Sequence, residues 1–315
     1  MQREKIFLLI SSGHGIFDQA SQDASRLLAK QIKSIETDLG ATAKICFVSE
    51  KPIAEVLVLM RKTRQDLQAH GVAVVGNESN GYLHDVMGIS IGENVGHKII
   101  PPLRSQNVRK ISDGKPAYGT SLARLGGNIV CNLFCGQALE DMCIKVIIDM
   151  GNKFGVGIMP DEKSNLIYIT TTAQYKPRVK EYVAQKSQGL LVCEDYPAHE
   201  LYSAFDGNVL IVIPRERNRG TAVRHIIETY VQDFNVQGVI FAGGGVMDIP
   251  ACLTIKEYKE KFPLGAYTIG PGNADKSLAG YLDIQGAGYV LDGVVGAIEK
   301  ALLRCQEADH SEPCR

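Results

Sequence analysis

Short, continuous apolar runs separated by longer amphipathic stretches set the strongest limit on what this chain can fold into. The runs are KIFLLIS (5–11), AKICFVS (43–49), GVAVVG (71–76), NIVCNLF (128–134), NLIYITT (165–171), GLLVCE (189–194), NVLIVIP (208–214), GVIFAG (238–243) and GAYTIG (265–270). Runs of this length without polar alternation are strands covered on both faces, which is the environment of a parallel sheet with helical crossovers. The stretches between them include helical patterns at 17–35, 52–69, 175–186 and 220–233. Near the C-terminus Leu291, Val294, Val295, Ile298, Ala301 and Leu302 recur at helical spacing, a stripe that should pack on the sheet. The alternation predicts an α/β fold, mostly parallel sheet with flanking helices.

The segment 77–120 interrupts this rhythm with glycine, polar residues and the pair Pro101 and Pro102. Long irregular insertions in compact domains are usually functional or mobile, so the segment reads as a lid or an inter-domain connection. It also favours two doubly wound lobes over a single (β/α) barrel. The expected division is an N-terminal lobe over 1–128, a C-terminal lobe over 129–305 and a frayed polar tail over 306–315. A chain of 315 residues with 45% hydrophobic content can bury a substantial core in either arrangement.

Net charge is −1, from 34 basic and 35 acidic residues, so no global field draws the chain to nucleic acid or an anionic membrane. The opening MQREKIFLLISSGHG has too brief an apolar run for a secretory leader, and no window reaches the ~18 apolar residues of a membrane span. Eight cysteines dispersed mostly in apolar segments fit reduced, buried thiols. These features predict a soluble, cytoplasmic protein whose partner is a small anionic metabolite, with self-association into a homo-oligomer left open.

Local anion sites are offered at strand ends. Gly243, Gly244 and Gly245 follow one apolar run, and Gly270, Gly272, Asn273, Lys276 and Ser277 follow the next. Glycines there let a phosphate or carboxylate approach backbone N–H groups, and a following helix N-terminus adds partial positive charge. The same glycines could equally serve tight turns and close packing. Arg215, Arg217, Arg219 and Arg224 cluster at another strand-to-helix junction, and the planar guanidinium suits phosphate. Arg215 and Arg219, nearest the junction, are the expected anion contacts.

Ser12 and Gly13 end the first run, and His14 stands between Gly13 and Gly15 where an imidazole is accessible and titrates near neutrality. Cys135 ends another run just before Gly136, where a helix N-terminus would favour its thiolate. His14 and Cys135 are therefore the candidates for proton transfer, against the plainer readings of a helix cap and a structural thiol. Cys131, Cys135 and Cys143 have neither zinc nor iron–sulfur spacing, and His84, Asp85 and His97 match no zinc signature, so no metal and no cofactor is expected.

No P-loop, G-x-S-x-G elbow or H-E-x-x-H pattern occurs, and Gly286 and Gly288 lack the remainder of a dinucleotide fingerprint. The residues together suggest a metal-independent isomerase or lyase acting on a small phosphorylated or carboxylated metabolite of sugar-phosphate type. A non-catalytic metabolite-binding or regulatory module and a nucleotide-dependent kinase-like enzyme are the alternatives.

Overall fold

The computed structural model describes residues 3–12, 22–49, 53–72, 90–92, 97–100, 122–125, 128–132, 157–161, 166–170, 176–178, 181, 201–206, 209–214 and 218–311. Strand β1 (Lys5–Ser12) leads through α1 (Gln22–Asp38) to β2 (Thr42–Val48), and α2 (Ile53–Ala69) follows. Strands β3 (Ser90–Gly92), β4 (His97–Ile100), β5 (Leu122–Leu125) and β6 (Asn128–Asn132) come next, then β7 (Gly157–Asp161), β8 (Leu166–Thr170), β9 (Leu201–Asp206) and β10 (Val209–Pro214). The chain continues through α3 (Arg219–Asp233), β11 (Asn235–Ala242), a 3-10 turn at Val246–Asp248, α4 (Ile249–Glu257) and β12 (Ala266–Gly270). It ends with α5 (Lys276–Ala279), β13 (Ile284–Gln285) and α6 (Val290–Ser311).

The larger sheet has the order β13-β12-β11-β1-β2-β3-β4-β6-β5, and the smaller one β7-β8-β10-β9. From β13 to β2 every pairing is parallel, giving an open five-stranded parallel sheet and no barrel. The smaller sheet is antiparallel throughout. The larger sheet crosses the boundary expected between residues 128 and 129, since β1 lies between β2 and β11.

Both faces of β1 are buried because helices cover each. Phe7 and Leu9 pack on one side with Leu28, Ile32 and Ile35 of α1 and Val294, Ile298 and Leu302 of α6. Ile6, Leu8 and Ile10 pack on the other with Val223, Ile226 and Ile227 of α3 and Ala251 and Ile255 of α4. The expected C-terminal stripe lies in the first of these cores; Val294, Val295, Ile298, Ala301 and Leu302 are all buried, and the side chain of Leu291 is not described. Burying a side chain of this size contributes about 1.5–3 kcal/mol. Where β1 meets β11 the register shifts between Ile6 and Phe7, and a Cβ at Gly238 would lie 2.6 Å from the Phe7 ring.

Helix α6 runs on to Ser311. Helix α4 and strands β5, β7, β9 and β13 stand where no element was expected, and β3 and β4 stand within the segment expected to be irregular. Of the run expected at 71–76 only Gly71 and Val72 are described, neither in a strand, and the run expected at 189–194 and most of the segment 77–120 lie outside the described residues. Among the described residues no helix is long and apolar enough to cross a membrane.

Candidate active site

Helix α1 carries the chain from β1 to β2 on one side, while β11 pairs with the opposite edge of β1. Strand order therefore reverses about β1, and in open α/β sheets the crevice at the carboxyl ends of such strands is where ligands bind. Ser12 ends β1 there, and the 243–248 segment leaves β11 beside it.

Asp248 gathers this crevice around one carboxylate. Its Oδ2 accepts hydrogen bonds from Ser12 Oγ at 3.2 Å, Gly244 N at 2.8 Å and Gly245 N at 3.0 Å. Its Oδ1 accepts from Arg219 Nη1 at 2.5 Å. The Asp248 side chain is fully buried and that of Arg219 is 14% exposed, so the pair interacts largely outside solvent. Two local features create the meeting. Asn218 caps α3 by accepting from Gly220 N and Thr221 N, which fixes Arg219 at the first position of the helix. Gly220 then lets α3 close on α4, since a Cβ there would lie 2.6 Å from the Pro250 carbonyl oxygen.

Packing accounts for one of the three glycines at this strand end, Gly243. A Cβ at Gly243 would lie 2.8 Å from Asp248 Cβ, whereas at Gly245 it would meet nothing within 4 Å. Gly243 N donates to the Ile269 carbonyl, while the N–H groups of Gly244 and Gly245 hold Asp248. The donors expected to face an anion are thus turned inward in this structure. Gly270 is needed because a Cβ would lie 2.8 Å from the Gly243 carbonyl oxygen, and at Gly272 one would lie 2.8 Å from that of Gly286.

The second glycine loop adjoins the first, with Asp275 N donating to the Gly244 carbonyl at 3.0 Å. Asn273 and Lys276 are exposed on it, Lys276 opening the short helix α5 after its cap Asp275. Of the expected site residues, Ser12, Arg219, Gly243, Gly244 and Gly245 come together, and Gly270, Gly272, Asn273 and Lys276 line the adjoining loop. Gly13, His14, Cys135 and Arg215 lie outside the described residues. Asp248, the hub of the cluster, was not singled out from sequence. Its signal was a carboxylate just before Pro250, the pattern of a helix start.

Strand β9 of the smaller sheet contacts the turn Val246–Asp248, so the two sheets meet beside this cluster. Ser11, on the opposite face of β1 from Ser12, is also buried, and its hydroxyl has no partner among the described residues.

No family model matches the sequence, and no curated protein matches it closely enough to count as a relative. Solved structures do resemble it over nearly its whole length. One is Thermoplasma acidophilum 0175, with 13% sequence identity, a TM-score of 0.53, and 96% of this chain and 100% of that chain covered. Another is the sucrose-phosphatase of Synechocystis sp. PCC6803, in complex with sucrose and phosphate, with 12% identity, a TM-score of 0.53, and 97% and 98% covered. Likeness at such identities shows a shared fold. It counts against the expectation of a metal-independent isomerase or lyase, because the fold spread over this chain is one it shares with a solved sucrose-phosphatase.

Proposed function

We propose that the chain hydrolyses phosphate monoesters of small, sugar-type metabolites at the Ser12, Asp248 and Arg219 cluster. The observation that carries the reading is the placement of Ser12 Oγ on Asp248 Oδ2 with Arg219 on Oδ1, at the switch point of a phosphatase-like fold. A hydroxyl within hydrogen-bond reach of a base that a third group orients is the general arrangement of an activated nucleophile.

In this reading Ser12 Oγ attacks phosphorus, an Oγ–P bond forms and the bond from phosphorus to the sugar oxygen breaks. The Ser12 proton passes to Asp248, a late transfer of the kind a carboxylate serves in phosphoryl transfer. His14, two residues beyond Ser12 in the chain, is the proposed donor of a proton to the leaving sugar oxygen. Water then attacks the phosphoserine and gives a proton to His14, the P–Oγ bond breaks, and Asp248 returns its proton to Ser12. Arg219 and the N-termini of α3 and α4 supply positive potential to the transferring group. Asn273 and Lys276, with Gly13 and Arg215, are proposed contacts for the rest of the substrate. Cys135 has no role in this scheme.

Release of inorganic phosphate from a panel of sugar phosphates tests the reading. Turnover that falls by about 10⁶-fold in Ser12→Ala supports it, a loss of the size seen when a nucleophile is removed. Turnover unaffected by that change overturns it.

A further inference from the structure

We infer that Asp248 is an anchor for Ser12 and Arg219 and not a ligand for a divalent cation, so that the guanidinium supplies the positive charge a metal would otherwise bring. The inference rests on the proposed phosphate chemistry only for the role of Arg219; the statement about Asp248 stands on geometry alone. Phosphoryl transfer needs cationic stabilisation, and bound metal ions or arginines provide it. Magnesium asks for oxygen ligands in near-octahedral array and keeps several of its waters.

The cluster offers neither. A carboxylate has about four lone-pair positions, two on each oxygen. Three donors already converge on Asp248 Oδ2, from Ser12, Gly244 and Gly245, which leaves that oxygen nothing to give a metal. On Oδ1 the Arg219 guanidinium lies 2.5 Å away, and a cation placed there would face a like charge at close range. The carboxylate side chain is fully buried, whereas magnesium keeps several of its waters.

Neighbouring backbone oxygens are engaged as well. The Gly244 carbonyl accepts from Asp275 N and the Gly245 carbonyl from Asp248 N. Among the described residues no group of three His, Cys, Asp or Glu side chains could hold a metal ion.

The test uses the full chain and Mn²⁺ as the probe. With assigned amide resonances, Mn²⁺ is expected to leave the Gly244 and Gly245 signals of the wild-type protein unbroadened, and calorimetric Mn²⁺ titrations are expected to be the same for wild type and Asp248→Asn. Selective broadening of those two amides, or a Mn²⁺ site lost in Asp248→Asn, overturns the inference. The broadening measurement needs no variant and decides the matter even if Asp248→Asn does not fold. Separately, inorganic phosphate is expected to raise Tm equally with Mg²⁺ and with chelator, with affinity lowered at least about tenfold in Arg219→Ala. A phosphate effect that requires Mg²⁺ contradicts the role given to Arg219. No phosphate effect in either condition counts against the proposed hydrolysis while leaving the Mn²⁺ result to decide Asp248.

Discussion

Arg219 opens helix α3 and Asp248 leads into helix α4, and the two meet as a buried ion pair 29 residues apart in sequence. A cation at the start of a helix opposes the helix dipole, and an anion there complements it. Asp248 therefore favours its own helix while offsetting the charge that Arg219 brings to the other. The same carboxylate gathers Ser12 and two backbone N–H groups, so one side chain ties β1, the turn after β11 and both helices together.

Replacing Asp248 with Ala removes the buried carboxylate from Arg219 Nη1 and orphans the N–H groups of Gly244 and Gly245. The expected loss is about 3–5 kcal/mol, the range for breaking a buried pair from one side. Arg219→Ala leaves Asp248 its three remaining donors and is expected to cost less, about 1–3 kcal/mol. Urea unfolding of the two variants measures the order; an equal or reversed ranking contradicts the hub role of Asp248.

Two glycine substitutions separate packing from turn chemistry. Gly220→Ala drives a methyl against the Pro250 carbonyl at 2.6 Å, prising α3 from α4 at the Arg219 end. It is expected to cost about 1–3 kcal/mol, as overpacking does. Gly245→Ala meets nothing within 4 Å and is expected to stay within about 0.5 kcal/mol of wild type. Thermal unfolding of the pair checks the contrast.

Asp283 should contribute to acid sensitivity. Burial pushes its carboxyl up, but the Thr268 N–H and hydroxyl and the Lys259 ammonium together outweigh that and hold it below the ordinary carboxylate range. A depressed folded value means stability that is present above the unfolded value of about 3.9 and is lost as pH falls through the folded one. Asp283→Asn removes this contribution, so its stability should fall less steeply than that of wild type below about pH 5. Urea midpoints across an acid series test this, and parallel curves contradict it.

The buried thiols should be inert. Burial pushes Cys305 up to about 12, and its Sγ also donates to the Leu264 carbonyl. Burial, with the charge of Asp248 adding to it, raises Cys252 as well. Thiolate is the reactive form, so neither should react with a disulfide reagent at neutral pH until the chain unfolds. Peptide mapping after native labelling checks this; rapid modification of either contradicts it.

Much of the fold was legible because continuous apolar runs report strands buried on both faces, and β1, β2, β11 and β12 all lie at such runs. Strands β5 and β9 escaped notice because their runs, LARL and LYSAFD, are short and mixed. The two-residue links Gly126-Gly127 and Gly207-Asn208 before β6 and β10 were the hairpin signals that could have found them. Helix α4 was hidden because its sequence, IPACLTIKE, is apolar around most of its circumference and shows weak periodicity. Ser12 and Arg219 were legible from their places at a strand end and a helix start. Asp248 was not, because its importance comes from a sheet order that places β11 beside β1, which no local pattern states.

The central claim is that Ser12 accepts a phosphoryl group, and rapid acid quench of the enzyme turning over a sugar phosphate, followed by mass spectrometry, tests it most directly. The account predicts phosphoserine on the peptide that contains Ser12, absent from Ser12→Ala. Phosphate release without that modification, or phosphate carried by another residue, contradicts it.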